Sequence, residues 1–322
     1  VAGSGFRFSQ SILLQVTGGA EVADIEAAID VLTSRHAMLR ARFRMTGDGW
    51  AQVIAPASTS AYRFEHKYID YDAGLGQGKQ RELLDVMEQA QASLNVFTGP
   101  VFAAEHVRTR DNRQLLYLVA HHLVVDLASW RILLHDLDEL LREGTLASSA
   151  AESMPFTYWT DYQSYENSQR LVEPALPFDV RPADLEFWGL QGRSNCYGDT
   201  QQMVFVLGTD IAHALQTTCN QVFRTESADI FLAALLHSFR QTFPERAGMM
   251  PTVWKQEHGR DASNQNFNIE QTVGWFTTLC PLSVGSDSVS DVIELIKQLK
   301  DTRRAIPRSG TPFFTSKFST ES

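Results

Sequence analysis

The sequence is poor in cysteine. Cys196, Cys219 and Cys280 are the only three in 322 residues, and they lie far apart. An odd, scattered set provides no disulfide framework and no zinc-ligand spacing, which fits a reducing compartment and a cytoplasmic location. Long apolar runs are also missing. None approaches the roughly 20 residues that cross a bilayer, so no membrane partner is expected. The opening Val-Ala-Gly-Ser-Gly lacks the charged and apolar regions of a signal peptide. No long basic run occurs and the formal net charge is -10, so nucleic acid is not an expected partner. An initiator methionine is absent and the first residues lead almost directly into a strand. The chain is therefore read as a piece of a longer polypeptide.

What is present is a globular composition, 43% hydrophobic, enough for one large or two modest cores. Phe8–Val16 reads as a strand. Val22, Ile25, Ile29, Leu32 and Leu39 mark one helix face. Ala41–Arg44 and Trp50–Ile54 flank Gly47-Asp48-Gly49, a hairpin turn. Gly74–Gly78 is a flexible break, and Leu83, Leu84, Met87 and Leu94 form a second amphipathic face that ends near Gly99-Pro100. Val101–Val107 and Gln114–His122 read as paired strands around Asp111-Asn112. A helix beginning near Trp130 ends at Gly144. These elements make an α/β lobe over residues 1–170. A linker over 171–183 follows, carrying Pro174, Pro177 and Pro182. The second lobe covers 184–322. Its expected elements are a short helix at Asp184–Gly189, a strand at Gln202–Leu207 and helices at Ile211–Phe223 and Ala228–Phe243. After them come a strand at Pro251–Glu257, a loop at Arg260–Asn268, a segment Val273–Val284 and a helix at Val289–Arg304.

The most informative stretch is His121-His122-Leu-Val-Val-Asp126-Leu-Ala-Ser129-Trp130. It stands where a buried strand gives way to a helix. A corner of that kind holds side chains on a rigid scaffold while leaving their tips accessible. A neutral imidazole there takes a proton near neutral pH. Read from residue types alone, a strand-end histidine is a core residue and a strand-end acid a helix cap.

The whole string, however, resembles the HHxxxD motif of the nonribosomal peptide synthetase condensation superfamily, which includes chloramphenicol acetyltransferase-like enzymes. The longer form AHHLVVDLASWRILLHDL is most similar to the epimerization branch, in its fungal versions, although the usual glycine after the aspartate is Leu127 here. The resemblance continues in Ser34-Arg35-His36…Leu39-Arg40…Phe43, in Arg224-Thr225-Glu226 with the following Asp-Ile-Phe-Leu-Ala-Ala-Leu run, and in His258-Gly259-Arg260. It also covers Val273-Gly274-Trp275-Phe276-Thr277 and Asp301…Arg303-Arg304…Pro307. It implies an α/β fold of two chloramphenicol-acetyltransferase-like lobes, set in a V around a central tunnel. A peptidyl carrier protein and neighbouring synthetase domains are the implied partners. The substrate, an aminoacyl or peptidyl thioester, rides on the carrier's phosphopantetheine, and the domain itself binds no metal or soluble cofactor. In the epimerization branch an α-hydrogen acidified by the thioester carbonyl leaves from one face and returns to the other, which requires an acid and a base.

By the same resemblance His122 is the principal acid/base and His121 shapes the site. Asp126 braces the loop, and Ser129, Trp130, Trp275, Thr277 and Cys280 line the substrate tunnel. Two positions depart from the pattern. The family's EGHGR reads Gln256-Glu257-His258-Gly259-Arg260 here, which puts an amide where the partner carboxylate stands. An amide cannot exchange a proton at neutral pH. On a strand, Glu257 points to the opposite face from Gln256, so it rescues the pair only if a bulge re-aims it. Cys280 replaces a frequent tyrosine and reads as a small buried hydrophobe. Residue type alone gives Ser129 as a helix cap and Trp130 and Trp275 as packing, with Arg35 or Arg40 as the cation beside Asp126. His36 and His135 have no motif role. Epimerization is the expected activity. Peptide-bond condensation on the same scaffold and non-catalytic carrier docking are the alternatives.

Overall fold

A computed structural model describes residues 8–47, 49–57, 61–70, 80–146, 154–168, 176–194, 196, 199–246, 248–260, 268–285 and 291–318. The Gly74–Gly78 break lies outside them. The chain divides into two compact units, one built from residues 1–165 with 260–277 and the other from 166–259 with 278–320.

In the first unit a four-stranded sheet runs in the order β1 (Ser9–Val16), β6 (Gln114–His121), β5 (Phe102–Thr109), β4 (Arg63–Ile69). Only the β4–β5 pair is parallel, and its crossover contains α2 (Gln80–Ala92). Strand pleating sends Leu116, Leu118 and Ala120 to one face, where they meet Ile25, Ile29 and Leu32 of α1 (Val22–Arg35) and Leu133 and Leu137 of α3 (Leu127–Glu143). Tyr117 and Val119 face the other way, onto Ala90 of α2. A capping box between Glu21 and Asp24 opens α1. The helix stops at Arg35, short of the expected Leu39. His36 turns extended with its ring buried 2.9 Å from Asp136, and Ala37–Arg40 form a 3-10 turn. Left-handed Gly144 closes α3 where the sequence predicts. The hairpin of β2 (Ala41–Thr46) and β3 (Gly49–Ile54) also matches expectation.

Two elements of this unit carry no readable period in sequence. On strand β4 the half-buried Arg63 and Lys67 pair with Glu65 and with the buried Glu105, while Phe64 and Ile69 pack on apolar neighbours. Helix α4 (Phe156–Ser168) is mixed aromatic and polar, and its buried Trp159 packs on Ile269 and Phe276. Residues 260–277, which sequence order assigned to the second lobe, belong to the first unit. They are drawn there by hydrogen bonds to the start of α3.

The second unit holds α5 (Thr209–Gln216), α6 (Thr218–Phe223), α7 (Ser227–Thr242), the antiparallel pair β7 (Val253–Glu257) and β8 (Thr278–Leu282), α8 (Val292–Ala305) and α9 (Thr311–Phe318). Its main core joins Ala233 and Leu236 of α7 to Leu295, Ile296 and Leu299 of α8, and a second cluster joins Leu176, Cys280, Leu282 and Ile306. The expected helix Ile211–Phe223 is broken at Thr217, whose backbone leaves helical space. The expected helix Asp184–Gly189 is a turn. The expected strand Gln202–Leu207 is irregular and unpaired among the described residues, with Phe205 83% exposed, so its β-prone side chains have no ladder to join. No described helix is long and apolar enough to cross a membrane.

Candidate active site

The end of β6 places two histidines in different surroundings. His121 is buried, and its Nδ1 accepts from the Leu123 N–H at 3.2 Å, so it shapes the turn. His122 is half-buried. Its Nδ1 lies 2.9 Å from the Val125 carbonyl and its Nε2 2.9 Å from the Gln10 amide nitrogen. Phe8 stacks on the ring at 4.5 Å and Trp275 tilts against it at 5.3 Å. A carbonyl only accepts, so Nδ1 carries the proton and Nε2 keeps the basic lone pair.

Four residues on, Asp126 is the N-cap of α3. Its Oδ1 accepts from the Ser129 N–H at 2.7 Å. The expected cation beside it is neither Arg35, which pairs with Asp136 at 3.2 Å, nor Arg40, which bonds backbone carbonyls. It is Arg260, whose Nη2 is 3.2 Å from Asp126 Oδ1. Arg260 also donates to the Ile269 and Thr272 carbonyls and lies over the Phe276 ring, 3.9 Å from its centroid. Burial holds the guanidinium below its ordinary value, and Asp126 offsets part of that. The Phe276 N–H completes the carboxylate at 3.2 Å. Ser129 is therefore not the cap. It sits inside the first turn, fully buried, with Oγ 2.7 Å from Asp126 Oδ1 and 2.8 Å from the Gly274 carbonyl, and it accepts from the Gly274 N–H. Gly274 must be glycine, since a Cβ there would lie 2.3 Å from the Phe156 ring.

Among the residues expected to line a substrate passage, Ser129, Trp130 and Cys280 are buried. Trp275 and Thr277 are half-buried, and the Trp275 indole N–H is a buried donor with no acceptor among the described residues. His36 is core, bonded to Asp136, and His135 is exposed. His135, Asp136 and Glu139 bring three donor atoms within 4.8 Å of one another, but the Asp136 carboxylate is already shared between Arg35 and His36.

In the second unit the register of β7 with β8 is unbroken from Val253–Leu282 to Glu257–Thr278, so the bulge that would re-aim Glu257 does not occur. Gln256 lies on the exposed face of β7. Glu257 lies on the other, half-buried, with Oε1 2.6 Å from Lys255 Nζ. Cys280, paired with Lys255 across the strands, has its thiol pushed up to about 11 by burial and by the Glu257 charge. Sequence reasoning missed Gln10 and gave Arg260 no site role of its own. The motif string His-Gly-Arg was a signal for the second. None marked the first, a polar residue on a strand of ordinary alternation.

Comparison with known proteins gives the family and the fold. The family model for the condensation domain matches residues 3–315, so the chain belongs to the condensation-domain family. Nonribosomal peptide synthetase ungA of Aspergillus violaceofuscus is 36% identical over 97% of this chain and 3% of its own length. Nonribosomal peptide synthetase 1 of Aspergillus fumigatus is 38% identical over 96% of this chain and 5% of its own length. The chain therefore spans a small part of the curated relatives it matches, and these are fungal, as the sequence resemblance implied. The epimerization domain from the third module of tyrocidine synthetase B superposes with a TM-score of 0.77 at 21% identity, covering 98% of this chain and 72% of that one. The fold is thus the mixed α/β, chloramphenicol-acetyltransferase-like fold of condensation and epimerization domains.

Proposed function

We propose that this domain acts on an aminoacyl or peptidyl thioester delivered on the phosphopantetheine of a peptidyl carrier protein, with His122 as its single general base, and that the reaction is peptide-bond condensation. The observation that carries this reading is the unbroken β7–β8 register. Inversion at an α-carbon needs a proton-exchanging group on each face. Gln256 is an amide and Glu257 is held by Lys255 on the opposite side of the strand. Condensation needs only one lone pair, to orient or deprotonate an attacking amine, and His122 Nε2 supplies it. Neighbouring synthetase domains would supply donor and acceptor carriers.

Epimerization is the second reading. It is favoured by the likeness of His258-Gly259-Arg260 and Val273-Gly274-Trp275-Phe276-Thr277 to that branch, and it requires Glu257 to leave Lys255. Carrier-loaded thioester in deuterated buffer separates the readings. Amide formation between two loaded carriers without α-hydrogen exchange supports condensation. Exchange in a singly loaded carrier supports epimerization. Neither reaction leaves a docking module.

A further inference from the structure

We propose that Gln10 is a positioning residue that caps the basic lone pair of His122 until a hydrogen-bond donor on the substrate replaces it. The inference rests on His122 being the base. The indole N–H of Trp130 can only donate, and it lies 3.0 Å from Gln10 Oε1. That contact fixes which end of the Gln10 amide is oxygen and turns its NH2 toward His122 Nε2, 2.9 Å away. The Val125 carbonyl independently fixes the proton on Nδ1. The two ends of the chain of bonds agree: indole N–H to amide oxygen, amide N–H to imidazole nitrogen, imidazole N–H to carbonyl.

An imidazole nitrogen has one in-plane lone pair. While Gln10 donates to it, His122 takes no proton from anything else. The ring itself is restrained by Phe8, Trp275 and the Val125 bond, and the Gln10 backbone is locked in β1 opposite Ala120. The part free to yield is the Gln10 side-chain amide. Its NH2 occupies the place that a substrate donor must take, an attacking amine N–H in the condensation reading. Gln10 thereby keeps the base aligned and closed to stray donors until a loaded carrier arrives.

Carbethoxylation of His122 by diethyl pyrocarbonate reads this without any turnover assay, because the reagent attacks a free imidazole lone pair. Peptide mass analysis of the intact domain should show slow labelling of His122 in the wild type. Gln10→Ala should label about two- to tenfold faster, the occupancy that a hydrogen bond of ordinary net strength confers. Trp130→Phe keeps Gln10 but removes its tether, and should also label faster, which separates uncapping from simple loss of bulk. Gln10→Glu places a carboxylate at Nε2. In 15N-histidine spectra His122 should then show an imidazolium signature at pH values where the wild type shows the Nδ1–H tautomer. Unchanged labelling in both Gln10→Ala and Trp130→Phe overturns the proposal, as does a Gln10→Glu spectrum identical to wild type. Faster labelling in both variants, with His122→Ala retaining full turnover, would uphold the cap and reject His122 as the base.

Discussion

Arg260 reaches back 134 residues to place Nη2 3.2 Å from Asp126 Oδ1, and the two side chains tie the 260–277 segment to the start of α3. The pair is nearly closed to solvent, and both carboxylate oxygens accept other bonds, from Ser129 and Phe276. Asp126→Asn keeps the size but replaces one acceptor by a donor facing donors, so it should lower stability by roughly 3–5 kcal/mol. Arg260→Leu should cost a similar amount, and the double variant should cost less than the sum. Urea unfolding of the four proteins checks this. A wild-type midpoint for Asp126→Asn with lost turnover would make Asp126 a catalytic residue rather than a brace.

His122→Ala should lower turnover on carrier-loaded substrate by about a hundred- to ten-thousand-fold, the ordinary contribution of a positioned general base. Melting should change little, because the ring is half-buried and its partners are a backbone carbonyl and the Gln10 amide. Steady-state rates and thermal melting on the same preparation separate the two effects.

Cys280 should be chemically silent. Burial and the neighbouring Glu257 charge push its thiol up to about 11, so it carries almost no thiolate at pH 8. Cys196 is exposed. Iodoacetamide at pH 8 should alkylate Cys196 in the folded protein and reach Cys280 only after denaturation. Peptide mass analysis reads the difference, and rapid labelling of Cys280 would contradict its burial.

The ion pair of Asp229 with Arg303 predicts an acid-dependent step in the second unit. Burial pushes the Asp229 carboxyl up, but two hydrogen bonds from Arg303, at 2.8 and 3.0 Å, and the Glu226 backbone N–H outweigh it and hold the group below its usual range. A depressed carboxyl contributes stability that is complete above its unfolded value of about 3.9 and is lost as pH falls through the folded value. Wild-type stability should therefore drop below about pH 4. In Arg303→Met the burial penalty is opposed only by the Glu226 backbone N–H and the Lys255 charge, so the protonated acid gains. That variant should lose roughly 3–5 kcal/mol at pH 7 and regain part of it toward pH 4, the opposite slope. Denaturant titrations at the two pH values test the sign.

The first unit was largely legible because its elements carry apolar periods that survive into the fold. The buried spacing of Ile25, Ile29 and Leu32 marks α1, and the strand-to-helix corner at His121–Trp130 marks the candidate site. What the sequence hid lacks a regular apolar period. β4 carries Arg63 and Lys67, which pair with the distant Glu105, and α4 buries Trp159 on Ile269 and Phe276, contacts that no local pattern announces. Arg260 could not be read as the partner of Asp126, because nothing local brings together residues so far apart in sequence. Arg35 and Arg40 were nearer in sequence and were the wrong choice, since each already has nearby partners. In the second unit the apolar run Met203–Leu207 has the composition of a strand, but no strand among the described residues pairs with it.

On the proposed reading, positions 256 and 257 separate the two chemistries. On a regular strand they face opposite ways, and the unbroken pairing of β7 with β8 leaves no bulge to change that. Glu257 is already bound to Lys255 at 2.6 Å. Glu257→Gln should therefore leave condensation turnover within about twofold of wild type, an effect no larger than an ordinary surface substitution produces. It should cost little stability, since the amide oxygen still accepts from Lys255 and Lys255 keeps Glu226 3.9 Å away. Gln256→Glu restores a proton-exchanging group at the position where the epimerization branch carries one. Mass spectrometry of the carrier-bound thioester after incubation in deuterated buffer reads both variants. Exchange gained only in Gln256→Glu would identify a lapsed epimerase in which one side chain is missing. Exchange present in the wild type and abolished by Glu257→Gln would show that Glu257 leaves Lys255 on substrate binding, and would replace condensation by inversion as the reaction of this domain.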